Sequence, residues 1–110
     1  MPTLPESLAA WRTEAFGAVL RRELARLPAT CFALERFVRP GDRVLSEDLG
    51  FEVEAVDAAS AAPRARIGVH FDVQVACCSC GDEPVIDAGH AVFELSIQPE
   101  DARVRLVPVL

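Results

Sequence analysis

Three residue types are missing from this 110-residue sequence: there is no Lys, no Asn and no Tyr, so all 11 basic side chains are Arg. Without Lys the chain has neither a Schiff-base nucleophile nor the lysine of a phosphate-binding Walker loop. Without Asn it has no N-glycosylation sequon. No apolar run approaches the roughly 18 residues of a membrane-spanning helix. Residues 1–8 lack a basic stretch followed by an apolar one, so they do not read as a signal peptide. The expectation is a cytoplasmic chain of bacterial type, in a compartment where thiols stay reduced. Charge of one sign is also scarce: 17 acidic residues against 11 basic give a net charge of -6. That balance disfavours nucleic acid and anionic membrane as partners, because both call for a basic face.

Hydrophobic residues make up 51% of the chain, enough for one buried core. Thr3-Leu4-Pro5-Glu6 has the form of a capping box, and a helix is predicted from there to about Leu27, before Pro28. At 100° per residue, Leu8, Trp11, Ala15 and Val19 share one side of it, and Phe16, Leu20, Leu24 and Leu27 an adjacent one. Residues 30–47 fit either a strand or a helical turn, apart from the turn Arg39-Pro40-Gly41-Asp42.

From Leu49 onward the period changes to two. Leu49, Phe51, Val53 and Ala55 form one alternating set; Ile67, Val69, Phe71, Val73, Val75 and Cys77 form a second. Ala91, Phe93, Leu95 and Ile97 form a third, and Val104, Leu106 and Pro108 close a fourth after the turn Pro99-Glu100-Asp101-Ala102. If residue 98 pairs with 103, Ile97 falls beside Val104 and Leu95 beside Leu106, so the apolar sets agree. The expected fold is α+β: residues 1–110 as a single domain, with an N-terminal helix packed on one face of a four-stranded antiparallel meander sheet. Arg64, Arg66, Arg103 and Arg105 are expected on the surface, pairing with Glu52, Glu54 and Glu94 on the open face or lining a strip for anions.

The chemically pointed segment is Cys77-Cys78-Ser79-Cys80-Gly81, a C-x-x-C-G turn. Half a zinc knuckle has this shape, but structural zinc takes four ligands. Cys78 supplies a third, His90 is the nearest further candidate, and Asp82, Glu83 and Asp87 are oxygen alternatives. His70 lies seven residues before Cys77, roughly 23 Å away along an extended strand. In the simpler reading Cys77 is a small core residue and the other thiols decorate a tight turn. No cofactor is expected on that reading; zinc held by Cys77, Cys78, Cys80 and His90 is the alternative.

Trp11, Phe16, the helix, and then Cys78-Ser79-Cys80-Gly81-Asp82-Glu83-Pro84 before a strand resemble a family of small bacterial proteins with a Cys-Ser-Cys-x-Asp-acidic-Pro turn. The resemblance implies no activity. Members of that family carry Gly where this chain has Cys77, which makes Cys78 and Cys80 the pair of interest.

No Ser-His-Asp order, nucleophile elbow, dinucleotide glycine pattern or phosphate loop is present. The leading expectation is therefore a non-enzymatic module that binds a protein partner, or a second copy of itself, through the open sheet face or the helix edge. Two alternatives stand beside it: a metal or thiol domain centred on the cysteine turn, and a small enzyme using His70, Asp72 and Arg66 on the sheet face.

Overall fold

Four strands carry the period-two runs, and they pair in sequence order. β1 (Arg43–Val56), β2 (Arg64–Val75), β3 (Val85–Ile97) and β4 (Val104–Pro108) form one antiparallel sheet in a computed structural model that describes residues 2–75 and 85–109. The odd-numbered side chains of β2 and β3 point one way. Ala65, Ile67, Val69, Phe71 and Val73 are buried there with Ala91, Phe93, Leu95 and Ile97. α2 (Phe16–Arg26) adds Phe16, Leu20 and Leu24 to the same core, so the fold is the expected α+β arrangement of a helix on one face of a meander. Ile97 pairs with Val104 and Leu95 with Leu106, the register that parity requires.

The helical layer departs from the sequence reading. A short α1 (Pro5–Ala9) precedes α2, and the chain turns between them, with Arg12 at φ 68°. The cause is a non-local cap. Glu23, buried in α2, accepts hydrogen bonds from the backbone N–H groups of Glu6 and Ser7. In one continuous helix, residues 6 and 23 would stand about 25 Å apart at 1.5 Å per residue. Thr3 does not form the capping box; it bridges Arg103, while Leu4 donates to the Ala102 carbonyl at 2.8 Å. Residues 2–4 thus lie along the start of β4. Trp11 closes the turn against Phe16, with ring centroids 5.0 Å apart.

The segment after α2 forms two 3₁₀ turns, Ala29–Phe32 and Leu34–Phe37, which place Phe32 and Leu34 in the core. The turn at residues 39–42 closes as expected: Asp42 donates to the Arg39 carbonyl at 3.0 Å, and Gly41 takes φ 93°. β1 starts at Arg43, six residues before the alternation becomes visible at Leu49. Its register shifts twice, between Leu45 and Gly50 and between Val53 and Ala55. The second shift is a bulge at Glu54, and it moves Ala55 to the face opposite Val53. β1 is an edge strand, and bulges together with Glu47, Asp48, Glu52 and Glu54 discourage another strand from adding to it.

Candidate functional site on the open sheet face

The even-numbered side chains of β2 and β3 form the face away from the helices. Cross-strand pairs divide it into rows: Arg64 with Ser96 and Ser96 with Arg105; Arg66 with Glu94; Gly68 with Val92; His70 with His90; Asp72 with Ala88. The His70 and His90 rings stack, with centroids 4.5 Å apart and planes 21° apart. Each imidazole faces its own carboxylate. His70 Nε2 lies 3.2 Å from Glu52 Oε2, and His90 Nε2 lies 3.4 Å from Glu54 Oε2. An ionised carboxylate only accepts, so in the His70–Glu52 hydrogen bond an ionised Glu52 takes its proton from Nε2.

Two backbone features build this cluster. The bulge at Glu54 aims that carboxylate across β2 toward β3. Gly68 leaves the space it crosses: a Cβ there would lie 2.7 Å from both Glu54 Oε2 and His90 Nε2. A glycine inside a strand marks a close approach. That was the one sequence signal for this site, and it did not identify which side chains meet. The pairing of residue 70 with 90 depends on the register across residues 76–84, which spacing alone does not supply.

Arg66 donates from both Nε and Nη2 to Glu94 Oε1, at 3.0 and 2.7 Å. The expected pairing of arginines with acids therefore holds for Glu94, whereas Glu52 and Glu54 engage histidines instead. Arg103 turns to Asp101, at 3.0 Å. Of the residues on this face of β2, His70 is engaged by Glu52 and Arg66 by Glu94, while Asp72 lies across from Ala88.

Cys77, Cys78 and Cys80 lie outside the described residues, as do Asp82 and Glu83. His90 pairs with His70, five residues along β3 from Val85, about 17 Å on an extended strand. Cys31 is half-buried against the core, with its thiol free. Among the described residues, no three His, Cys, Asp or Glu side chains are grouped to hold a metal ion, and no helix is long and apolar enough to cross a membrane. Comparison with protein-family models, with curated proteins and with solved structures yields no match. The functional reading therefore rests on the chemistry of this face.

Proposed function

We propose that the domain is a non-enzymatic self-association module that pairs with a second copy through the open sheet face. The observation that supports this most is the order of charges about Gly68. Arg64 lies four residues to one side and Asp72 four residues to the other, on the same strand and face. A two-fold axis through the Gly68–Val92 row brings Arg64 of one copy onto Asp72 of the other, twice. The Arg64–Asp72 contacts are self-complementary, as two-fold symmetry demands, while Glu52 in the axial row and Glu54 over Gly68 approach their own copies, each with a histidine Nε2 within 3.4 Å.

Size and texture agree. Three strands about 40 Å long plus the short β4 present a face of roughly 650 Å². That is the lower end of the roughly 600–1,000 Å² per partner buried in stable interfaces. Val92 is half-buried and Val107 is 44% exposed, which gives the centre and one flank apolar area to remove from water. Acid–base catalysis is favoured where water is excluded. The His70 and His90 side chains are 52% and 45% exposed, which suits a docking surface better than an enclosed active site.

Sedimentation equilibrium tests the proposal. The wild-type chain should approach twice its 11.9 kDa mass as concentration rises. Val92→Glu removes the apolar centre and adds two carboxylates to the Glu52 and Glu54 charges already near the axis, and should leave a folded monomer. Arg64→Glu should weaken association, and adding Asp72→Arg should restore it, since the doubly reversed face is again self-complementary. A wild-type chain that stays monomeric at millimolar concentration defeats the reading, as does a double variant no better than Arg64→Glu alone.

A further inference from the structure

We infer that Arg64, Ser96 and Arg105 form a receptor for a single oxyanion group, a carboxylate or a phosphate, at one end of the open face. The three residues stand in one row across β2, β3 and β4, with Ser96 paired to Arg64 on one side and to Arg105 on the other. They line a hollow of about 400 Å³ together with Glu94, Leu95 and Val107. The two Cα positions are two strand spacings apart, about 10 Å. Arginine side chains reach across such a gap, so both guanidinium groups can meet above the serine hydroxyl.

Two guanidinium groups without ion pairs in one row carry the argument. Arg22, Arg26, Arg66 and Arg103 find a carboxylate. Among the described residues Arg12, Arg21, Arg36, Arg39 and Arg43 form no salt bridge either but lie outside this row, whereas Arg64 and Arg105 are brought to the two sides of one serine. Among the described residues Arg64 and Arg105 form no salt bridge: Glu94 is occupied by Arg66, and Asp57, whose N–H donates to the Arg64 carbonyl, turns its Oδ1 to the Ala59 N–H instead. Two like charges on either side of one residue repel unless an anion lies between them. Guanidinium groups present planar forks that match carboxylate and phosphate oxygens in pairs, and the serine hydroxyl adds a donor between the forks. Ligand chemistry is thereby defined more narrowly than its source. In a face-to-face pair the occupant is the Asp72 carboxylate of the second copy; in a free chain it is a dissolved oxyanion. The receptor does not depend on self-association.

Inorganic phosphate, titrated at constant ionic strength and followed by the amide of Ser96 and the side-chain Nε–H signals of the arginines, provides the test. The titration is run on the wild-type chain and on Val92→Glu, from which the second copy is removed. Saturable binding of one phosphate per chain is expected, with the largest shifts at residues 64, 96 and 105. Arg64→Ala and Arg105→Ala should each weaken it at least about tenfold. Ser96→Ala should weaken it less, and Arg103→Ala, whose guanidinium is already paired, should leave it unchanged. Non-saturating shifts spread over all arginines, or equal affinity in Arg64→Ala and Arg103→Ala, would overturn the receptor. Sedimentation in the same buffers separates the two proposals. Phosphate binding by a chain that never dimerises keeps the receptor and defeats self-association. Dimers that phosphate dissociates support the receptor and identify the carboxylate of the second copy as its occupant. A Val92→Glu monomer that binds no phosphate overturns the receptor whether or not the wild-type chain dimerises.

Discussion

Two strand glycines show how differently the same atom can be excluded. A Cβ at Gly89 would lie 2.4 to 2.8 Å from three atoms of the Phe71 ring, which is 4% exposed and packed on the strand opposite. An aromatic ring held in the core cannot yield cheaply, so Gly89→Ala should cost about 1–3 kcal/mol in urea unfolding. At Gly68 the obstacles are the ends of two surface side chains, Glu54 and His90, which can swing into solvent. Alanine relieves a strand of glycine's entropic cost, about 0.5–1 kcal/mol. Gly68→Ala should therefore leave stability equal or slightly higher, while the His90 ring resonances shift as its contact with Glu54 breaks. A large loss of stability in Gly68→Ala, or none in Gly89→Ala, would contradict these assignments. Phe71→Ala should cost more than either, roughly 3–5 kcal/mol, because it empties the centre of the best-formed strand.

At the scale of elements, the strands were legible and the helix boundaries were not. Alternation is a property of neighbours in sequence. The run from Ile67 to Val73 displays its buried face directly, and four turn residues suffice to set the register of β3 against β4. The break between α1 and α2 depends instead on a carboxylate 17 positions from the amide it caps, and no local pattern reports that. The Glu54 bulge was hidden for a related reason: it is a mismatch between two strands and cannot be seen in either alone. Nor does a list of arginines and acids say which pairs form, so the two His–Glu contacts appeared only once β1, β2 and β3 were aligned. The cap itself can be tested. Glu23→Ala leaves the first amides of α1 without their acceptor in a buried place, which should cost about 1–3 kcal/mol. Glu23→Gln keeps one acceptor oxygen and should cost less. Hydrogen exchange at residues 6 and 7 is the sharper readout: faster exchange confined to α1 supports the cap, and unchanged protection there contradicts it.

As a whole the molecule is long, with Cα extents of 53 × 22 × 20 Å and a radius of gyration of 15.8 Å. A compact chain of this length has a radius near about 13 Å. The strands are long, with 14, 12 and 13 residues in β1, β2 and β3, and one end of the sheet lies where residues 43–45, 72–75 and 85–88 pair. At that end Val85 and Ile86 are 52% and 50% exposed, whereas the odd positions from Ala91 onward are buried. Two modes of association would leave different shapes. Packing through the open faces lays two long sheets side by side about 10 Å apart, so length is retained and the cross-section grows. Contact between the exposed Val85–Ile86 ends would instead join two rods tip to tip. Small-angle X-ray scattering over a concentration series distinguishes them. As association proceeds, the forward scattering per unit mass should double while the maximum dimension stays near that of one copy and the cross-sectional radius increases. Salt should reverse the change in part, because the Arg64–Asp72 contacts sit toward the ends of the shared face, where ions screen them. A maximum dimension close to twice that of one copy would place the contact at the strand ends and remove the open face from the interface.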